Sequence, residues 1–191
     1  MELRNFTSID EALLREIGRL RVEALETETS KASAIKSWID EFDRTARHWV
    51  VFREEVPVAA ARLSIHENLS EVPDAESYAG VFPQPPEGPI ASFNRLVVHP
   101  SARGAGLSKR LDFVGLDASE EIGCHSVVLS TASGPKRVKQ LIGWGFELAG
   151  YGPRFQKPPL SFLPPPAVLL CRLPRITTGT GIEPVVTLKP A

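Results

Sequence analysis

The stretch from Leu96 to Ile122 constrains this chain most, because it reads as a buried strand, a glycine turn and a helix in immediate succession. The apolar run Leu96-Val97-Val98 is stopped by Pro100, which cannot donate to a ladder and disfavours helix in the residue before it. Leu107, Leu111, Val114, Ala118 and Ile122 then recur at helical spacing, with Lys109, Arg110, Asp112, Asp117, Glu120 and Glu121 mostly off that stripe. Between the two lies Arg103-Gly104-Ala105-Gly106. Two glycines let the backbone turn sharply and approach a ligand, and the unpaired N–H groups of the next helical turn point outward with the positive end of the dipole behind them. Such a turn is a phosphate cradle. It is not the G-x-x-x-x-G-K-[ST] loop, and Gly104-x-Gly106 lacks the third glycine and the preceding βαβ unit of a dinucleotide fingerprint. A strand-to-helix turn that needs glycine for geometry alone is the competing reading.

The chain has 191 residues, 42% hydrophobic and 24% charged, which suits one globular domain with an ample core. A formal net charge of −1 gives no ground for nucleic acid or a charged membrane as the main partner. No apolar run approaches the roughly 18 residues of a membrane span, and Met1-Glu2-Leu3-Arg4 does not open a signal peptide. Cys124 and Cys171 stand far apart without metal-ligand spacing, so no metal is expected, and two buried thiols suit a cytoplasmic location.

Taken in order, Glu2 to Phe6 reads as a short strand, and Ser8-Ile9-Asp10-Glu11 has the form of a capping box before a helix through Leu13, Ile17, Leu20 and Ala24. A second helix is predicted around Ile35, Trp38, Ile39 and Phe42, with Trp38 and Phe42 in the core. His48 to Arg53 and Val58 to Ile65 form an antiparallel hairpin about Glu54-Glu55. Residues 67–89 hold five prolines and five acids without a lysine or arginine, which reads either as an acidic lid for a cationic amine or as a solvated loop. Strands follow at Ile90 to Val98 and Ser126 to Ser130, then a helix from Pro135 through Ile142, a strand from Phe146 to Tyr151 and a last strand from Ala167 to Arg172. Six prolines between 152 and 166 are expected to interrupt regular structure. The domain is thus placed at 1–173, with a long acidic loop 67–89 and a Pro-rich insertion 153–166, and 174–191 as a flexible tail.

Arg103-x-x-Gly106-x-Ser108, after a strand ending in Val98-His99-Pro100, resembles motif A of the GNAT superfamily of acyl-CoA-dependent N-acyltransferases, [Q/R]-x-x-G-x-[G/A]. Ser108 stands where the family carries glycine or alanine. Trp144-Gly145-Phe146 resembles the family's helix-end Gly-Phe, and the element order β-α-α-β-β-loop-β-α-β-α-β-β is similar to the family's order. The resemblance implies an α/β (α+β) fold with a mixed, mostly antiparallel central sheet flanked by helices. It further implies direct transfer of the acetyl group of acetyl-CoA, or of another acyl-CoA, to an amine acceptor, a small molecule or a peptide. The cofactor site it implies runs through Leu96, Val97, Val98, Arg103, Gly104, Ala105, Gly106, Leu107 and Ser108, with the Val98 main-chain N–H as oxyanion donor. A homodimer is a further implication. The tyrosine that many members place five residues before that Phe, as acid for the leaving thiolate, is Leu141 here.

An amine protonated at neutral pH must lose a proton before it attacks, so Glu67 and His66 are the candidate bases at the end of their strand. Tyr151 is the candidate acid, with Tyr78 as the other tyrosine. Asn94-Arg95-Leu96 and Leu20-Arg21-Val22-Glu23 also resemble motifs of acyl-homoserine-lactone and long-chain N-acyl amino acid synthases, which leaves a longer-chain acyltransferase as an alternative. A non-catalytic acyl-CoA-binding domain is another.

Overall fold

The computed structural model describes residues 1–25, 30–32, 35–132, 134–154, 156–157, 160–162 and 164–175. Its elements are β1 (Glu2–Phe6), α1 (Glu11–Leu25), β2 (Ser30–Ala32), β3 (Arg47–Arg53), β4 (Val56–His66), β5 (Ile90–Val98), α2 (Leu107–Ile122), β6 (Ser126–Thr131), α3 (Pro135–Gly143), β7 (Glu147–Tyr151), β8 (Gln156–Lys157), β9 (Leu160–Phe162) and β10 (Ala167–Arg172). A seven-stranded sheet runs β1-β3-β4-β5-β6-β10-β7. Every neighbouring pair in it is antiparallel except β5 with β6. This is the mixed, mostly antiparallel sheet flanked by helices that the family resemblance implies.

Alternation along the strands divides the core between the two faces of the sheet. Leu107, Leu111, Val114 and Ala118 of α2 pack with Trp49, Val51, Leu63, Phe93 and Val127 on one face, while Ile17, Leu20 and Ala24 of α1 pack with Val50, Phe52, Ala60 and Val97 on the other. Gly115 lets α2 sit directly on the sheet. An ideal Cβ there would lie 2.4 Å from the Phe93 ring, which is itself set edge-on against Trp49. Gly115→Ala is therefore expected to lower the urea midpoint: overpacking costs about 1–3 kcal/mol, more than the ~1 kcal/mol gained in helix propensity.

The structure departs from the sequence reading in four places. The helix expected around Ile35 to Phe42 does not form; residues 35–40 are irregular and only Glu41–Arg44 makes a 3-10 turn. Trp38 N–H donates to the Gly18 carbonyl at 3.0 Å, Asp40 caps the turn through the Phe42 N–H, and Asp40 and Asp43 are drawn to arginines on other elements. Helix α1 is capped by Asp10, whose carboxylate accepts from Ala12 and Leu13 N–H at 2.8 and 2.9 Å, and so begins after the expected Ser8 cap. Segment 67–89 is not a plain solvated loop, since Val72, Ser77 and Tyr78 are buried and two short 3-10 turns shape it. The Pro-rich segment carries β8 and β9, which join β2 in a three-stranded antiparallel sheet. Of the expected tail, residues 176–191 lie outside those described; Arg175 is tied to Asp117 and Glu120 of α2.

Candidate active site

Strands β5 and β6 are paired only from Ile90 to Ser92 opposite Ser126 to Val128, and beyond that they part. On its other side β5 stays in register with β4, although an extra residue is accommodated between the Arg62–Asn94 and Ala60–Val97 pairs. Arg95, inside that bulge, has φ of 53°, a conformation that side chains other than glycine rarely adopt. His99 N–H donates to the Val58 carbonyl at 2.9 Å. Main-chain groups alternate in direction along a strand, so the N–H of Val98 faces away from β4, into the gap.

A cavity of about 740 Å³ occupies this gap. Of the residues expected to hold the cofactor, Leu96, Val97, Val98, Arg103, Gly104, Gly106, Leu107 and Ser108 line it, and Ala105 does not. Gly106 caps α2 with φ of 72°, and Gly104 has φ of 84°. A Cβ on either would meet nothing within 4 Å, so the space over the turn is open to a ligand. The Arg103 side chain donates to the Ala24 carbonyl at 2.9 Å, fixing the turn to the end of α1. Arg137 also lines the cavity, held by two 2.6 Å bonds to the buried Asp112, with the exposed Lys136 beside it.

The candidate base and acid residues stand elsewhere. His66 is half-buried at the end of β4, bonded through Nε2 to Ser64 Oγ at 2.8 Å and packed on Phe42; burial holds its pKa below the usual range. Glu67 is exposed, and neither residue lines the cavity. Tyr151 is 64% exposed on β7, also outside it. The tyrosine that does line the cavity is Tyr78.

The far end of the cavity is bounded by Trp38, Pro73, Asp74, Tyr78 and Arg95. Arg95 donates to Asp74 at 2.7 Å and to Asp40 at 2.8 Å, and stacks on the Trp38 ring at 4.0 Å. Asp74 sits in the left-handed region as well, at φ of 55°. The pairing continues inward: Asp40 to Arg62, Arg62 to Asp43 at 3.0 Å, and Asp43 to Arg21 through two bonds of 2.9 and 2.8 Å. Burial alone would raise the Asp43 carboxyl, but the Arg21 and Arg62 guanidinium groups hold it well below the usual carboxylate range. This ladder of alternating charges anchors the far wall to α1. Sequence periodicity missed it, because its members come from five separate segments; the one local signal was the pair Asp40 and Asp43 among the apolar residues Trp38, Ile39 and Phe42.

His48 closes the inner end. Its Nε2–H donates to the Asp43 carbonyl at 2.8 Å, Nδ1 has no partner, and burial holds its pKa below the usual value. Both His48 and Asp43 therefore bind fewer protons folded than unfolded, so stability falls as pH falls. Resistance to urea is expected to weaken from roughly pH 6.5 downward, where an unfolded histidine takes up its proton, and again below roughly pH 4. His48→Gln should shrink the first step to the part that His66, also held below its usual pKa by burial, still contributes, and leave the second.

Among the described residues no group of His, Cys, Asp and Glu is placed to hold a metal ion, and no helix is long and apolar enough to cross a membrane. Cys124 and Cys171 are free and buried, and burial pushes the Cys171 thiol up to about 11.

Comparison with known proteins supplies a family and a fold. The model of the GNAT acetyltransferase family matches residues 14–142, so the chain belongs to that family. Among solved structures, the AHL synthase LasI superposes with a TM-score of 0.66 at 15% identity, covering 90% of this chain and 88% of that one. Escherichia coli ElaA gives 0.59 at 16% identity over 90% and 99% of the two chains. A CoA-dependent acyl-homoserine lactone synthase, MesI, gives 0.56 at 19% identity over 90% and 88%. At such identities the likeness is one of fold. No curated protein matches in sequence.

Proposed function

We propose that this protein is an N-acetyltransferase that moves the acetyl group of acetyl-CoA directly onto an amine. The observation that supports the reading is one continuous cavity, running from the glycine turn at the start of α2, along the free edge of β5, to the carboxylate of Asp74. The pyrophosphate of coenzyme A would sit on the N–H groups around Gly104 to Ser108. Its pantetheine arm would add to β5 as a strand does, at Leu96 to Val98. The acyl group then lies toward Phe93 and Tyr78.

The substrate ammonium first gives a proton to water; the neutral amine nitrogen then attacks the thioester carbonyl, the carbon–sulfur bond breaks, and the second proton passes from nitrogen to sulfur, so that coenzyme A leaves as the thiol. In this scheme the Val98 N–H faces the oxygen that becomes an oxyanion; a donor so placed is typically worth about 3 kcal/mol in the barrier. Asp74 gives one oxygen to Arg95 and has no ion-pair partner on the other among the described residues, so it is the group suited to draw in an ammonium. The test is thiol release from acetyl-CoA across a panel of primary amines and amino-terminal peptides, with the N-acetyl product identified by mass. An acetylated amine whose KM rises in Asp74→Asn supports the scheme; thiol release in no case, by protein that binds acetyl-CoA, defeats it.

A further inference from the structure

The gap between β5 and β6 has an apex, and one side chain lies across it. Pairing ends at Ser92 opposite Val128. Tyr78, from the 67–89 segment, is 4% exposed, lines the cavity, and has its hydroxyl in hydrogen-bonding reach of Ser130 on β6 and Ser92 on β5. The phenol thus spans both arms of the gap. Burial pushes its pKa far up, so the hydroxyl remains neutral beside the Ser92 and Ser130 side chains.

What lies on either side of the ring matters. Phe93 and Leu129 line the cavity beside it, and Phe93 cannot retreat, being wedged between Trp49 and the backbone of Gly115. On the other side Tyr78 belongs to a buried apolar cluster with Val72, Ile90, Val128, Val168 and Leu170. The ring is therefore a partition between the cavity and an apolar layer of the core.

Resting on the acyl-CoA reading above, we propose that Tyr78 is the gauge of acyl-chain length: its ring closes the apex, so the site takes an acetyl or similarly short group. A thioester arm that follows β5 back from Val98 carries its acyl group toward the apex, where an alkyl chain would run into the ring. Truncating the ring would leave an apolar hollow continuous with the cavity, and such hollows stay dry and accept apolar ligands.

The experiment is calorimetric titration of wild type, Tyr78→Phe and Tyr78→Ala with coenzyme A and with acetyl-, butyryl-, hexanoyl- and octanoyl-CoA, each protein first shown to be folded by circular dichroism. Wild type is expected to bind acetyl-CoA at least tenfold tighter than hexanoyl-CoA. Tyr78→Phe, which keeps the ring, should keep that order, whereas Tyr78→Ala should invert it by tenfold or more. Equal binding of all lengths by wild type overturns the gauge, as does an unchanged order in Tyr78→Ala; should alanine not fold, Tyr78→Leu gives the same comparison with less lost volume. Binding of coenzyme A with the wrong length order defeats the gauge alone. Failure of folded wild type to bind any of these ligands defeats the acyl-CoA reading and the gauge with it.

Discussion

Replacing Asp43 by alanine is expected to remove a large share of the protein's stability and to lower its urea midpoint steeply. Asp43, Arg21 and Arg62 are all 0% exposed. Arg21 makes two bonds to the carboxylate, Arg62 lies 3.0 Å from it, and Arg62 goes on to Asp40 and then to Arg95. Without the carboxylate, Arg21 loses its only ionic partner among the described residues and Arg62 one of two. Removing one member of a buried pair costs about 3–5 kcal/mol, because the partner's charge is left uncompensated. Total stabilities are typically about 5–15 kcal/mol, so the loss takes a large share. Asp43→Asn separates charge from packing. It keeps the shape, so if uncompensated cations set the cost, its urea midpoint should fall nearly as far as that of alanine; a midpoint near wild type would put the cost in lost packing.

Gly106→Asp is expected to abolish binding of coenzyme A while sparing the fold. Gly106 sits at φ of 72° before the first turn of α2, with nothing within 4 Å of the place where a Cβ would stand. Aspartate tolerates that conformation better than most residues, so strain is modest. The same carboxylate would project into the space over the turn, where a pyrophosphate would need the free N–H groups. Two like charges about 4 Å apart near a protein surface repel by roughly 4 kcal/mol, so affinity should fall by about 100-fold or more. Gly106→Asn adds the bulk without the charge and should weaken binding less. Equal affinity in wild type and a folded Gly106→Asp would place the nucleotide elsewhere.

The parts of this molecule legible in the sequence are those that local chemistry decides. Pro100 ends β5, two glycines turn the chain, and a stripe of Leu107, Leu111, Val114 and Ala118 can only be a helix on a core. The hairpin of β3 and β4 was equally plain, because its β-formers flank a two-residue turn whose glutamates both take positive φ. What was not legible depends on partners distant in sequence. Ile35, Trp38, Ile39 and Phe42 have helical spacing, yet Asp40 and Asp43 are claimed by Arg62, 22 residues from Asp40, and by Arg21, 22 residues before Asp43. Those ion pairs outweigh a weak local preference. Likewise the acids and prolines of segment 67–89 conceal Val72 and Tyr78, which peg it to the sheet. For His66, Glu67 and Tyr151, chain position gave nearness to a strand end but not to the cavity. The spacing of Tyr78 carried no sign of its place at the apex.

The measurement that bears most directly on the site is an amide-resolved NMR titration of the 20.9 kDa protein with coenzyme A. The largest shifts are expected at the main-chain N–H groups of Leu96 to Val98 and of Gly104 to Ser108, with β1 and β3 silent. Shifts confined to another face of the molecule, or none at millimolar ligand, would contradict the placement of an acyl-CoA in the gap between β5 and β6.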